Sequence, residues 1–188
     1  MADVARPRRC HNGGVIIRAP REDELPGLVE LEAAAQTTFG EPGGIPEIAG
    51  DEPWPVEWLQ RFTTRDRAWV ALADGDDVPV AYLVAEPVDG FLHVEQVSVH
   101  PRAARHGFGR ALIDHLAAVA REDGVPALTL TTFADVPWNA PYYARLGFTV
   151  IDEGSLTAGL RRIREREATR GLEIWPRVVM RRPVTPRR

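Results

Sequence analysis

Phe91-Leu92-His93-Val94-Glu95-Gln96-Val97-Ser98-Val99-His100-Pro101-Arg102-Ala103-Ala104-Arg105-His106-Gly107-Phe108-Gly109-Arg110 reads as a strand, a tight turn and the opening of a helix. The strand carries a fault in its alternation: Leu92 and Val94 are apolar at even positions, Val97 and Val99 at odd ones. A step of three inside a period of two places one extra residue in the strand, as a β-bulge does. The bulge is expected near Glu95 and Gln96. A strand buried on both faces would also lose its alternation, so the pattern admits two explanations.

The turn that follows presents backbone N–H groups with no helical partner from Ala104, Arg105, His106, Gly107, Phe108, Gly109 and Arg110, and such donors can hold an anion. Glycine at 107 and 109 lets the backbone approach an anion closely, and Arg102, Arg105 and Arg110 could add charge-assisted bonds. A Gly-x-Gly turn can equally serve only to join strand to helix. Leu112 stands where a dinucleotide fingerprint needs its third glycine, and no Gly-x-x-x-x-Gly-Lys-Ser/Thr run exists, so two common phosphate motifs are excluded.

Working outward, strand and helix periods alternate along the chain, the sign of a mixed α/β fold. Strands are expected at Val15 to Arg18, Ala68 to Ala73, Val78 to Glu86, Phe91 to His100, Ala127 to Thr132, Phe148 to Ile151 and Arg177 to Met180. Helices are expected through Leu25, Leu28, Leu31 and Ala35; through Trp58, Leu59 and Phe62; and over Gly107 to Glu122, Asn139 to Leu146 and Leu156 to Thr169. Asp74-Gly75-Asp76-Asp77 reads as a hairpin turn, and the Arg/Glu pattern of the last helix as solvated surface. Residues 1–13 and 182–188 are Arg- and Pro-rich without periodicity, so a single domain over 14–181 between poorly ordered ends is expected. The segment 156–181 either finishes the sheet or contributes to a homodimer.

At 188 residues and 44% hydrophobic, the chain has material for one conventional core. A net charge of −4 disfavours nucleic acid as a partner, because counterion release needs a basic face. The single cysteine, Cys10, excludes an internal disulfide and a multi-thiolate metal site, which suits a reducing cytoplasm. No segment approaches the roughly 20 apolar residues that span a bilayer, so no membrane is expected. His11, His93, His100, His106 and His115 show no paired ligand spacing, and no metal is expected.

Val97-Ser98-Val99-His100-Pro101, Gly107-x-Gly109 at a helix start, and Asn139 and Tyr143 ahead of Leu146-Gly147-Phe148 together resemble the core of the GNAT N-acetyltransferases, over about half the chain. The resemblance implies a mostly antiparallel sheet of about six to seven strands, flanked by helices. In that family the bulged fourth strand splays from the fifth, the pantetheine arm of acetyl-CoA lies in the gap, and the pyrophosphate rests on the glycine turn. The family turn usually begins with Gln or Arg, where this chain has Ala104.

Acetyl transfer to an amine needs a proton acceptor, a polarised carbonyl and a donor to the leaving thiolate. Glu95 is the candidate base, its bland alternative a carboxylate paired with Arg or with bulge amides. Tyr143 is the candidate acid, four residues before Gly147 where the family places its own; Tyr142 competes, since one ring of the pair should fill the core. The N–H of Val97 or Val99 could polarise the carbonyl, and Asn139 either bonds the pantetheine or caps its helix. For the acceptor, the acidic Gly40 to Pro55 loop offers Glu41 and Asp51, with Phe39, Trp54 and His93 as further candidates; the loop either attracts a cationic amine or only aids solubility. A small-molecule primary amine is the expected acceptor. An acyl-CoA sensor without activity and a protein N-terminal or lysine acetyltransferase are the alternatives.

Overall fold

The computed structural model describes residues 10–12 and 14–185. Its eight strands are β1 (Cys10–Asn12), β2 (Val15–Arg18), β3 (Ala68–Ala73), β4 (Ala81–Val88), β5 (Phe91–Val99), β6 (Ala127–Phe133), β7 (Thr149–Val150) and β8 (Arg177–Pro183). The main helices are α1 (Leu25–Gln36), α2 (Val56–Thr63), α3 (Phe108–Glu122), α4 (Ala140–Arg145) and α5 (Ala158–Thr169). One sheet runs in the order β1-β2-β3-β4-β5-β6-β8-β7. Every pair is antiparallel except β5 with β6, which α3 joins as a crossover. The mixed, mostly antiparallel sheet flanked by helices is the expected architecture, with one strand more because Cys10–Asn12 pairs at the edge. The rest of the expected leader, and residues 186–188 of the tail, lie outside the described residues.

Local chemistry accounts for most boundaries. In the β3–β4 hairpin Asp76 N–H bonds Ala73 O at 3.0 Å and Gly75 takes φ +86°, a left-handed angle that suits glycine. β4 starts at Ala81 rather than Val78, because Pro79 has no N–H for the ladder and Val78 stands 61% exposed. α3 begins after Gly107 at φ +87° and ends before Gly124 at φ +70°, where Val125 N–H reaches back to Ala120 O at 2.8 Å. The last strand outruns its expected end at Met180: β8 pairs through Pro183 with Ala127, and Val184 is buried and bonds Pro126 O. Order therefore extends past the boundary expected at Arg181. β8 lies between β6 and β7, so the C-terminal segment finishes this chain's own sheet.

The two sheet faces are covered differently. α3 buries Leu112, Ile113, Leu116 and Ala120 in one cluster with Leu83, Ala85, Leu92, Val94, Leu128 and Leu130. α1 and α2 cover the opposite face at Val70, Leu72, Tyr82 and Val84, and α5 covers it farther along, packing Leu160 and Ile163 with Val88 and Val179. Between those two patches the face is polar.

The Arg/Glu pattern of α5 is not simply solvated surface. Glu167 accepts from Thr131 Oγ1 on β6, from Arg164 Nη1 at 2.6 Å and from Arg177 Nη2 at 2.6 Å and Nε at 3.2 Å, with the Arg177 side chain 8% exposed. Burial opposes its ionisation, but the Arg177 charge and these donors outweigh that and hold the Glu167 carboxyl below the ordinary glutamate range. Its stabilising effect is therefore present at neutral pH and fades as pH falls through that lowered value. Glu167→Gln, which leaves Arg177 buried and uncompensated, should cost about 3 kcal/mol in urea unfolding at pH 7 and much less near pH 3.

Candidate active site at the bulged strand

The register between β4 and β5 runs Leu83↔Val97 and Val84↔Gln96, then shifts to Ala85↔Val94. Glu95 is thus the residue without a partner, and the bulge predicted from the alternation falls there. On its other edge β5 pairs with β6 only at Leu92↔Leu128, His93↔Thr129 and Val94↔Leu130. Beyond Val94 the two strands run on unpaired, β5 to Val99 and β6 to Phe133, so a gap opens at the bulge. Because His100 N–H bonds Val80 O at 2.9 Å, the alternating ladder turns Ser98 and Gln96 toward β4 and leaves the N–H groups of Val97 and Val99 aimed at the gap. Those are the two donors proposed from sequence for a carbonyl oxygen.

The turn at the far end of β5 is built for close approach. Ala104 is extended, Arg105 and Gly107 are left-handed at φ +65° and +87°, and nothing lies within 4 Å of where a Gly107 Cβ would stand. The N–H groups of Phe108, Gly109 and Arg110 open α3 with no carbonyl behind them in the helix. His106 is held by Nδ1–H donating to Ala104 O at 2.9 Å. Gly109 is constrained by packing rather than by dihedral angle, since a Cβ there would come 3.1 Å from the Tyr142 hydroxyl and 3.4 Å from Val99 Cγ2. Arg102, Arg105, His106 and Arg110 are exposed around the turn, Arg110 3.6 Å from Asp114.

α4 sits across the gap. Its two tyrosines divide: Tyr143, the acid candidate, is the ring that fills the core, 8% exposed in the cluster that also receives Val97 and Val99, while Tyr142 is half-buried beside Gly109. The rings stand 5.4 Å apart, and Tyr143 packs edge-on to Phe148 at 5.8 Å. Burial, with Tyr142 adding to it, pushes the Tyr143 hydroxyl well above its ordinary value, so it stays protonated. Asn139 precedes α4 without capping it, and its Nδ2 is buried with no hydrogen-bond partner. The helix-cap alternative is therefore not met, and Nδ2 is left as a buried donor without an acceptor in the chain.

The Glu95 side chain is 20% exposed, Oε1 is buried and receives no N–H donor, and desolvation, followed by the hydrogen bond and charge of the neighbouring Glu86 carboxyl, raises its pKa to about 8. His93 is 1% exposed and bonds Thr129 Oγ1 through Nδ1 at 3.0 Å, and burial lowers its pKa to about 4. That is a neutral imidazole fixed between two strands, with no face left for an acceptor.

The remaining acceptor candidates are spread along the Gly40 to Pro55 segment. Ile45 and Ile48 pack it against Phe133 and Val136 at the end of β6, together with Phe39, Trp138 and Trp175. Phe39 meets Phe133 and Trp138 edge-on at 5.8 and 6.1 Å, so its ring is part of this anchor. A cavity of about 140 Å³ lies there between Gly43, Phe133, Asp135 and Trp175. Glu41 and Asp51 are exposed, whereas Trp54 stacks on Trp58 at 4.6 Å and carries the Arg170 guanidinium 4.2 Å from its ring centre.

Sequence reasoning overlooked three charged residues on the polar part of this face. Glu86 and Arg166 approach Glu95 from β4 and α5. Glu32, 2% exposed, accepts from Tyr82 Oη at 2.9 Å and from Trp54 N–H at 3.3 Å, and burial raises its pKa to about 6. A signal existed for Glu32 alone: it stands seven residues after Leu25 and four after Leu28, on the apolar stripe of α1. Among the described residues no group of three or more His, Cys, Asp or Glu gathers as metal ligands would.

The family model described as the acetyltransferase (GNAT) family matches residues 10–148. Solved structures of similar fold include the PaiA N-acetyltransferase from Thermoplasma acidophilum in complex with coenzyme A, at TM-score 0.68 and 14% identity over 90% of this chain and 98% of that one. Another is an acetyltransferase of the GNAT family from Staphylococcus aureus Mu50, at TM-score 0.68 and 14% identity over 91% and 99%. A third is the ribosomal-protein-S18-alanine N-acetyltransferase from Escherichia coli, at TM-score 0.62 and 19% identity over 93% and 96%. With the matched residues spanning β1 to the end of the α4 turn, and the bulge, gap and glycine turn inside them, this chain belongs to the GNAT acetyltransferase family.

Proposed function

We propose that this protein is an acetyl-CoA-dependent N-acetyltransferase that acts on the primary amine of a small molecule by direct transfer within a ternary complex. The observation that carries the reading is Glu95: an unpaired bulge residue where β5–β6 pairing stops, with a buried carboxyl that receives no N–H donor and whose close partner is the Glu86 carboxyl. A strand that ends its pairing at a buried carboxyl set against a second carboxyl serves chemistry better than it serves stability.

The residues present fit the co-substrate. The backbone donors from Gly107 to Arg110 would receive its pyrophosphate, Asn139 Nδ2 would donate to an amide oxygen of its pantetheine arm, and Arg102, Arg105 and Arg110 supply positive charge at the entrance. Acetyl-CoA supplies the acetyl group as a thioester. Val97 or Val99 N–H would stabilise negative charge on the acetyl oxygen. Glu95 would take the proton that the acceptor nitrogen must lose; an alkylamine of pKa near 10 arrives as an ammonium, which a carboxyl of pKa about 8 accepts from at only modest cost. Tyr143 keeps its proton and would hydrogen-bond the departing sulfur, since full proton transfer from so weak an acid to a thiolate is uphill; the sulfur takes the second proton that the nitrogen sheds as the amide forms, so coenzyme A leaves as the thiol. Cys10 lies on edge strand β1, far in the sheet order from β5, which favours direct transfer over a covalent protein intermediate.

The acidic segment packed on the end of β6 supports a cationic acceptor entering beside Glu41, Asp51 and Asp135. Coenzyme A in the PaiA structure adds support for the co-substrate at the level of the fold.

A panel of amines incubated with acetyl-CoA and a thiol-detecting reagent tests the reading, with thiol release for at least one cationic amine expected. Silence across the panel by a chain that still binds coenzyme A would make it a sensor. Release only with peptide acceptors would make it a protein acetyltransferase. In the wild type, kcat/KM should rise with pH through about 8 as Glu95 loses its proton, and Glu95→Gln should remove that limb and lower kcat about 100-fold. Tyr143→Phe should lower kcat about tenfold or more with little change in coenzyme A affinity; an unchanged kcat would take Tyr143 out of the mechanism. Asn139→Ala should weaken coenzyme A binding about fivefold to tenfold in a calorimetric titration.

A further inference from the structure

Three charged side chains from three elements converge where β5 bulges. Arg166 on α5 places Nη2 3.8 Å from Glu86 Oε1 and 3.9 Å from Glu95 Oε1. Glu86 on β4 stands opposite His93 in the ladder, and Glu95 follows His93 by two residues, so both carboxyls share the sheet face that α5 crosses. They are 25% and 20% exposed, while Arg166 lies at the rim with 63% of its side chain in solvent. At these distances Arg166 supplies charge without completing a hydrogen bond, and the carboxyl that Glu95 meets within hydrogen-bonding reach is that of Glu86.

The bulge creates this arrangement. In a regular ladder the residue after Val94 would have a β4 partner; the extra residue has none, and its side chain reaches the space between β4 and α5 where Glu86 already stands. Two carboxylates so close, in a site this shielded, resist carrying two negative charges, and a single cation shared between them relieves only part of that repulsion. The other charged groups facing Glu95 are already committed. Glu167 is held by Arg164 and Arg177, and His93 is neutral and bonded to Thr129.

We propose that Glu86 and Arg166 are positioning residues for Glu95, acting on it as a second carboxyl and a counter-charge so that the three behave as one ionisable unit. The proposal rests on the reading of Glu95 as the base and adds what sets its working range. Glu86 makes Glu95 a stronger proton acceptor. Arg166 limits that gain and, being on the last helix, ties the base to the C-terminal segment that completes the sheet.

The test reads the proton affinity of Glu95 directly, without acetyl transfer. In the full-length chain labelled with ¹³C at glutamate carboxyls, the Glu95→Gln spectrum assigns the Glu95 resonance, and pH titrations follow it in four variants. Glu86→Gln should lower the Glu95 midpoint by about one unit or more, Arg166→Gln should raise it by about half a unit, and Arg166→Lys should return it most of the way to wild type. Glu86→Asp, a second route that keeps the charge, should leave the midpoint raised. If Glu86→Gln and Arg166→Gln each move the midpoint by less than about 0.2 unit, the proposal is overturned. The acidic limb of kcat/KM in the same variants separates the two claims: a limb that follows the resonance supports both, whereas a resonance that shifts beneath a stationary limb keeps the ionisable unit and removes Glu95 as base.

Discussion

Pairing between β5 and β6 stops at Val94 and Leu130, and the site is organised around that interruption. The cause lies on the other edge of β5, where Glu95 has no counterpart in β4 and the strand must bend to absorb it. A parallel neighbour held by a helical crossover cannot follow the bend, because β6 is fixed on its far side by seven residue pairs with β8. One extra residue therefore yields a gap, two backbone N–H groups aimed into it and a carboxyl at its mouth. None of these needs a specialised loop.

The glycine turn depends on the same strand. β5 delivers the chain to Pro101, and the left-handed residues Arg105 and Gly107 turn it into α3 with the first helical N–H groups facing outward. Gly109 then brings α3 close to Val99 and to Tyr142 of α4, so the glycine turn and the two tyrosines share one packed cluster. Fixing the cleft through the α3 core, rather than through surface contacts, keeps its donors in place before any ligand arrives.

The opposite face carries the polar groups, and this is where sequence reasoning fell short. α5 is rich in Arg and Glu at spacings that also suit a solvated helix, yet Glu167 turns inward to Thr131 and Arg177, and Arg166 reaches over Glu86 and Glu95. Helix periodicity gives which residues share a stripe; it does not give what stands opposite the stripe. The acidic Gly40 to Pro55 segment behaves similarly. Its charges suggested an acidic loop that attracts an amine or aids solubility, and nothing in them showed that Ile45 and Ile48 anchor it on Phe133 and Val136 or that Glu32 accepts the Trp54 N–H from inside the protein.

What the sequence determined by itself was local and periodic. The three-residue step between Val94 and Val97 located the bulge near Glu95 and Gln96, Gly107 located the start of α3, and the run from Asn139 to Leu146 closed by Gly147 located α4. These rest on side-chain alternation, dihedral freedom and helix period, which act between residues a few positions apart. Tertiary structure decided the rest. It assigned Tyr143 to the core and Tyr142 to Gly109, left Asn139 Nδ2 without a partner, ran β8 past Met180 into the sheet and brought residues 86, 95 and 166 together. Burial and charge act through space. The proton affinity of a carboxyl at position 95 therefore depends first on its burial, and then on a strand nine residues upstream and a helix some seventy residues downstream, whose meeting only the completed sheet arranges.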